Sequence, residues 1–448
     1  MFKKLLIAFL FISAGVQSQH TITGTMSPKN DLLTRVILYQ LKGAKQIYIS
    51  NSKIDIDQFK LEIPQGAETG MYRLSFNPEV LGFVDFLFTQ ENISLKLNPL
   101  NVSNPIEFLT SEENKTYADY LIETMKLQHK LDSLQIVFFS LKDKKQDELT
   151  IDLYVKTLND YTIIQNQYEE KTEGKLSNHF IKATRKYFAS TLFVSPQEYL
   201  NSVKKHYFDF INFEEEALKN ATYFSEKAIE YVFYLNASDD IQVQNSLYKN
   251  AIGEILQKVG ENNEVKSDIL ISLIYAFEQF ENLVMAGYLL DEFYSKLPAN
   301  FIDKALVDEM QSKIKLAIGN TAPEITWEEK GVDKKLSELK GAERYVLVFW
   351  STTCSHCLQE IPKLYEFTNG GTKTHVVAVA LEDNKLDFSQ YASKFTKWTN
   401  ILGLKKWENN IAKEYNIIST PTYFVLDTDK KIIAKPEYLE DVKVYIEN

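Results

Sequence analysis

The spacing of apolar residues changes twice along this chain, so no single repeated architecture can accommodate it. Between Thr21 and about Leu100 the apolar residues fall in short alternating or β-branched runs. These are RVILYQL from Arg35, QIYIS from Gln46, QFKLEI from Gln58, MYRLSF from Met71, FVDFLF from Phe83 and ISLKL from Ile93. Turn formers separate them at Gly43, Pro64, Gly66, Gly70, Asn77-Pro78 and Gly82. Short runs with such punctuation predict a small antiparallel sandwich or barrel.

After the polar connection NPLNVSNP, Asn98 to Pro105, the period becomes helical and glycine nearly vanishes until Ile318. In TYADYLIETMKLQHKLDSL, residues Tyr117, Leu121, Met125, Leu127 and Leu131 are spaced as one face of an amphipathic helix. Helix breaks are expected at Thr172-Glu173-Gly174, Ser195-Pro196, Asn236 to Asp240, Gly260 to Asn263 and Leu297-Pro298. From IGNTAPEI, which starts at Ile318, strand and helix patterns alternate. RYVLVFW, HVVAVAL, TYFVLD and KIIAK read as strands, with helices after the first two, which implies an α/β sheet. The expected organisation is a leader at residues 1–18, a β-rich domain at 19–104, a helical region at 105–318 and an α/β domain at 319–448.

A chain of 448 residues with 44% hydrophobic side chains has ample material for several cores. Its net charge of −11 and the lack of a long basic run argue against nucleic acid as a partner. The first residues, MFKKLLIAFLFISAGVQSQ, pair Lys3 and Lys4 with an apolar run and a small-residue cleavage pattern near Ser18. This reads as a secretory signal. No later segment is apolar enough to span a bilayer, so the mature protein is expected to be exported, to the periplasm or beyond.

Export changes how the two cysteines of the chain read. Structural disulfides in secreted domains usually join separated cysteines, whereas Cys354 and Cys357 would close almost no loop and so stabilise little by chain entropy. They follow a buried strand and open a helix, where unpaired N–H groups and the helix dipole favour a thiolate. Cys354 is thus expected to be the attacking sulfur and Cys357, one turn later, the resolving one. His356, between them, is expected to donate to the thiolate and make the disulfide more oxidising.

The stretch from Ala322 to Glu447 resembles the thioredoxin superfamily, and more closely the exported redoxins of the TlpA and ResA kind. IGNTAPEI is similar to their G-x-x-A-P entry, VLVFWSTTCSHC to their V-L-x-F-W-A-x-W-C-x-x-C, and Cys354 to Pro362 to C-x-x-C-x-x-E-x-P. Ser419-Thr420-Pro421-Thr422 matches the loop whose cis-proline faces the disulfide. The resemblance implies a thioredoxin fold, thiol–disulfide exchange with protein substrates and a redox partner, and no cofactor beyond the cysteine pair. It implies that Glu360 assists proton transfer at Cys357, and that Trp350, Thr353, Ser355, Thr420 and Pro421 contribute the substrate surface. More loosely, the β-rich and helical parts resemble the accessory regions of multidomain exported redoxins.

Two residues depart from that pattern. Thr353 stands where the family commonly has tryptophan, and Val348 where cytosolic thioredoxin has a buried aspartate, which leaves Glu360 as the local carboxylate. Other readings stay open at this point. The pair could serve a dithiol oxidase or isomerase, or ride on a scaffold formed by the first 300 residues. It could also bind Cu(I) or Zn(II) with help from His356 or His375, although two cysteines do not complete a tetrahedral site.

Overall fold

The computed structural model describes residues 18–77, 82–101, 105–141, 148–370 and 373–447. The expected leader lies outside the described residues up to Ser18. The chain divides into two compact units, Met1–Ala276 and Phe277–Asn448.

The first unit begins with β1 (Ser18–Met26), β2 (Arg35–Lys42), β3 (Lys45–Lys53), β4 (Gln58–Pro64), β5 (Gly70–Asn77), β6 (Gly82–Phe88), β7 (Ile93–Leu97) and β8 (Ile106–Phe108). They form two four-stranded sheets, β4-β1-β7-β8 and β3-β2-β5-β6. Alternate residues of both sheets, among them Ile22, Val36, Leu61, Tyr72, Phe86 and Leu95, share one core, as a sandwich requires. The expected antiparallel order has one exception, because β1 and β7 run parallel with Ile22 opposite Ile93. Strand β1 is absent from the six runs read in the sequence because Gly24 interrupts its alternation. The glycine is there for space: a Cβ on Gly24 would lie 2.1 Å from a ring carbon of Phe59.

The helices that follow are α1 (Glu112–Ser140), α2 (Glu148–Lys171), α3 (Leu176–Ala183), α4 (Pro196–His206), α5 (Glu216–Lys219), α6 (Tyr223–Ile229), α7 (Ile241–Val259) and α8 (Asn263–Gln279), which runs across the division between the units. Each expected break up to Asn263 falls between helices. Ser195 caps α4 with Pro196 in its first turn, and Asp240 caps α7, as short polar residues do at helix starts. The buried face of α1 matches the expected one only in part: Leu131 is fully buried and Tyr117 and Leu127 pack against the core. Leu121 and Met125 are exposed, while Tyr120, Thr124 and Gln135 are buried. Polar residues take the inside because each finds a partner: Tyr120 donates to Gln165 Oε1 at 2.9 Å, and Gln135 both donates to and accepts from the Phe193 backbone.

The second unit contains α9 (Leu283–Glu292), α10 (Lys304–Lys315), the hairpin β9 (Thr326–Glu329) and β10 (Val332–Lys335), and then β11 (Arg344–Trp350), α11 (Ser355–Asn369), β12 (Thr374–Glu382), α12 (Leu386–Ala392), β13 (Thr399–Leu404), α13 (Asn410–Glu414), β14 (Thr422–Leu426), β15 (Ile432–Ala434) and α14 (Leu439–Ile446). The five-stranded sheet has the order β13-β12-β11-β14-β15. Tyr345, Leu347 and Phe349 of β11 enter one core layer with Phe424 and Tyr415, while Val346, Val348 and Trp350 enter the other with α11 and α14. The last two helices of the expected helical region therefore belong to the same unit as the α/β domain. The chain leaving α10 is tied to the sheet edge, Gly319 N donating to Ile432 O at 2.7 Å and Ala322 N to Lys430 O at 2.8 Å.

In the first unit, the Asp268 carboxylate of α8 fills the space beside Gly43 in the β2–β3 turn. A Cβ on Gly43, whose φ is +55°, would fall 1.8 Å from Asp268 Oδ2. Burial is the main reason that Asp268 is pushed up from 3.8 to about 6. A carboxyl with a raised folded value favours the protonated fold, so its contribution is full below about pH 4 and is lost as pH rises through 6. The shift corresponds to roughly 3 kcal/mol. Urea titrations should show that Asp268→Asn flattens the fall in stability between pH 4 and pH 7 that the unsubstituted protein undergoes.

Candidate active site

The site is built at the end of β11. Tyr345 to Trp350 are all buried, with β12 parallel on one side and β14 antiparallel on the other. A strand covered on both faces reaches water only where it ends. There Ser351, Thr352 and Thr353 turn the chain into α11, which Cys354 caps. Its Sγ accepts from Cys357 N at 3.1 Å, so the sulfur occupies the position where the helix dipole favours negative charge.

Cys354 and Cys357 are joined as a disulfide, their Cα atoms 5.2 Å apart. Cys354 is partly exposed and Cys357 fully buried. The Thr420–Pro421 peptide is cis, and the Thr420 carbonyl oxygen lies 3.4 Å from Cys354 Sγ. Two segments 66 residues apart in sequence thus meet at one sulfur.

The candidate residues separate on inspection. Thr353 and Ser355 are exposed beside Cys354, and Thr420 and Pro421 are partly exposed across from it. Trp350 does not line the surface. It is 1% exposed, with its indole packed edge-on against Tyr391 and Phe395, because the alternation of β11 turns it into the core layer beneath α11. His356 is exposed, but its Nε2 is directed to Glu360 Oε1 at 3.2 Å, one turn along the same helix. The expected donation to the Cys354 sulfur is not made in this geometry. Glu360 also accepts from the Tyr423 hydroxyl at 2.8 Å. Burial, and then that bond, raise Tyr423 above its ordinary value, which keeps the hydroxyl a donor. His375 is remote from the pair: it stands opposite Tyr345, near the start of β11, and bonds Thr399 Oγ1 at 2.8 Å. Among the described residues no cluster of three or more His, Cys, Asp or Glu side chains could hold a metal ion.

Sequence reasoning passed over two residues here. Glu382, 3% exposed at the end of β12, accepts from Thr352 N at 2.5 Å and from Ser351 Oγ at 3.4 Å. It fixes the turn that presents Cys354, and a lone carboxylate ending an apolar parallel strand was the available signal. Lys406 reaches Thr353 Oγ1 at 3.4 Å and pairs with Asp383 at 3.1 Å. Both Lys405 and Lys406 have positive φ, a backbone state that the sequence does not announce.

A dithiol pair capping the helix after a central strand, with a cis-proline loop against the outer sulfur, defines a thiol–disulfide oxidoreductase of thioredoxin fold. The redoxin family profile matches residues 317–442. The thiol–disulfide oxidoreductase ResA of Bacillus thuringiensis subsp. konkukian is 30% identical over 128 residues, 27% of this chain and 70% of that protein. ResA of Geobacillus kaustophilus is 28% identical over 142 residues, covering 30% and 80%. The chain belongs to the redoxin family. Among solved structures, the thioredoxin domain of a thiol–disulfide oxidoreductase from Bacteroides vulgatus is 26% identical and covers 29% of this chain and 99% of its own, with a TM-score of 0.26. A thioredoxin-like protein from Bacteroides caccae covers 56% of this chain and 94% of its own at 16% identity and a TM-score of 0.29.

Removing the Glu382 carboxylate would leave the Thr352 N–H buried without its acceptor. A lost bond to a charged acceptor costs about 1.5–3 kcal/mol, so Glu382→Ala should lower unfolding stability by about that amount in denaturant titrations of the full chain. Ser355→Ala, at an exposed position, should change it by less than about 0.5 kcal/mol.

Proposed function

We propose that this protein is an exported reductase of protein disulfides that works through a mixed disulfide on Cys354. The observation that carries the reading is the contrast within the pair: a partly exposed Cys354 Sγ at the start of α11, 3.4 Å from the Thr420 carbonyl, with Cys357 buried behind it.

In the reduced protein the Cys354 thiolate attacks one sulfur of a substrate disulfide. The substrate S–S bond breaks, and its other sulfur leaves as a thiolate with the electron pair. Thr420 and Pro421 border the approach to Cys354, and backbone groups there are the ones available to an extended substrate segment. Cys357 then loses its proton and attacks Cys354 Sγ, which releases the second substrate thiolate and closes the Cys354–Cys357 bond. The substrate has gained two electrons, and an upstream dithiol must return two to this protein. Glu360, three residues after Cys357 on the same helix, is within reach of that proton, since positions so spaced are neighbours on a helix surface.

Export rests on the leader pattern of residues 1–18. Among the described residues no helix is long and apolar enough to cross a membrane. Reduction is favoured by the resemblance to the exported redoxins, and in the disulfide form His356 is directed to Glu360 and not to Cys354. A measured potential above about −150 mV, near the oxidising end of the family's range, would reverse the direction.

Cys357→Ala should leave Cys354 joined to its substrate, recoverable from the exporting cell as a mixed disulfide that dithiothreitol cleaves. Cys354→Ala should trap nothing. Equal trapping by both variants, or by neither, would overturn the assignment of Cys354 as the attacking sulfur of a protein disulfide reductase.

A further inference from the structure

The buried cysteine and two side chains further along or beside it on α11, Glu360 and His356, show an outward gradient of exposure. Cys357 is 0% exposed, Glu360 has 16% of its side chain exposed and His356 has 64%. Glu360 on α11 is faced by His356 from its own helix, by the Tyr423 hydroxyl from β14, and by Cys357 one turn before it. Tyr423 and His356 take different carboxylate oxygens, Oε2 at 2.8 Å and Oε1 at 3.2 Å. The carboxylate is held from below by a donor that keeps its proton and from outside by an imidazole in contact with water.

We infer that His356 is the solvent end of a proton path that runs from the Cys357 thiol through Glu360, and that Tyr423 is the positioning residue of that path. The inference rests on the dithiol reading given above and deepens it. When Cys357 attacks the mixed disulfide, its thiol proton goes to Glu360 Oε1 or Oε2, the sulfur takes Cys354 Sγ, and the substrate thiolate leaves with the electron pair. The proton then passes to His356 Nε2 and from the imidazole to water, which restores the carboxylate for the next turnover. Reduction by the upstream dithiol runs the same path inward and delivers a proton to Cys357.

Tyr423 has no proton to give in this scheme. Its hydroxyl holds Glu360 Oε2, and so fixes the carboxylate with Oε1 toward the histidine. His356 acquires a role different from the one its position between two cysteines suggests: it serves the inner sulfur by way of Glu360.

The test uses the full-length reduced protein and one equivalent of the aromatic disulfide 5,5′-dithiobis(2-nitrobenzoate), a two-electron oxidant. Attack by Cys354 releases the first thionitrobenzoate, and resolution by Cys357 releases the second, so absorbance separates the two steps. His356→Ala should slow the second phase on the order of tenfold or more, as loss of a proton-transfer group does. Added imidazole should restore it in proportion to concentration, while the rate of the unsubstituted protein stays flat. Tyr423→Phe should change the second-phase pH profile and affect the first phase less. In a Glu360→Gln background neither substitution should have a further effect.

A His356→Ala second phase at the original rate, or one slowed but indifferent to imidazole, would overturn the path. So would a His356→Ala effect that persists undiminished with Glu360→Gln, since that is the signature of a histidine acting directly on sulfur. An unmoved pH profile in Tyr423→Phe would remove Tyr423 from it. If the unsubstituted protein gives no second phase at all, it is the dithiol reading that fails and not the path.

Discussion

Strand β11 has water on neither face, and the chemistry of the C-terminal unit follows from that. Six consecutive buried side chains must be covered by a core layer on each side, so the chain can emerge only at the strand's ends. At one end it turns within three residues into a helix whose cap is a sulfur. The sulfur is placed by the burial of the strand behind it, and its partner by the helical rise of one turn. The loop before β14 completes the arrangement because β14 pairs with β11 in a fixed register, Phe349 opposite Thr422. That register brings the cis-proline to the level of the cysteine.

This dependence explains what was legible beforehand. Four of the five strands of this sheet, α11 and the cysteine pair were readable because burial writes apolar runs and because Pro, Glu and Cys recur at spacings particular to redoxins. Trp350 was misplaced: the resemblance assigned it to the substrate surface, whereas the two-residue period of a strand sends it inward. Tyr423 could not be assigned from sequence, and the only signal for Glu382 was a carboxylate ending an apolar strand. Each is an ordinary residue in a strand, and each acquires its role from a partner 63 or 30 residues away. Strand β13 was missed as well, since TNILGL at a sheet edge holds a single buried side chain, that of Ile401, besides Gly403.

In the first unit the same reasoning met a different obstacle. The helical period located the helices, but the face it marked on α1 is buried at Leu131 and not at Leu121 or Met125. A helix whose inward residues are Tyr, Thr and Gln is held by hydrogen bonds to named partners, and hydrophobic spacing carries no record of them. The redoxin profile matches residues 317–442, and this unit lies wholly outside that match.

Thr353 bears on selectivity. Where a flat indole would accept any apolar neighbour, this protein offers a hydroxyl held between Ser351 Oγ at 3.0 Å and Lys406 Nζ. Apolar contact grades its ligands gently, while a site of oriented polar groups rejects a molecule that leaves those groups unmatched far more steeply. The residue next to the Cys354 sulfur thus presents an oriented hydroxyl, with a lysine behind it, in place of a flat apolar face.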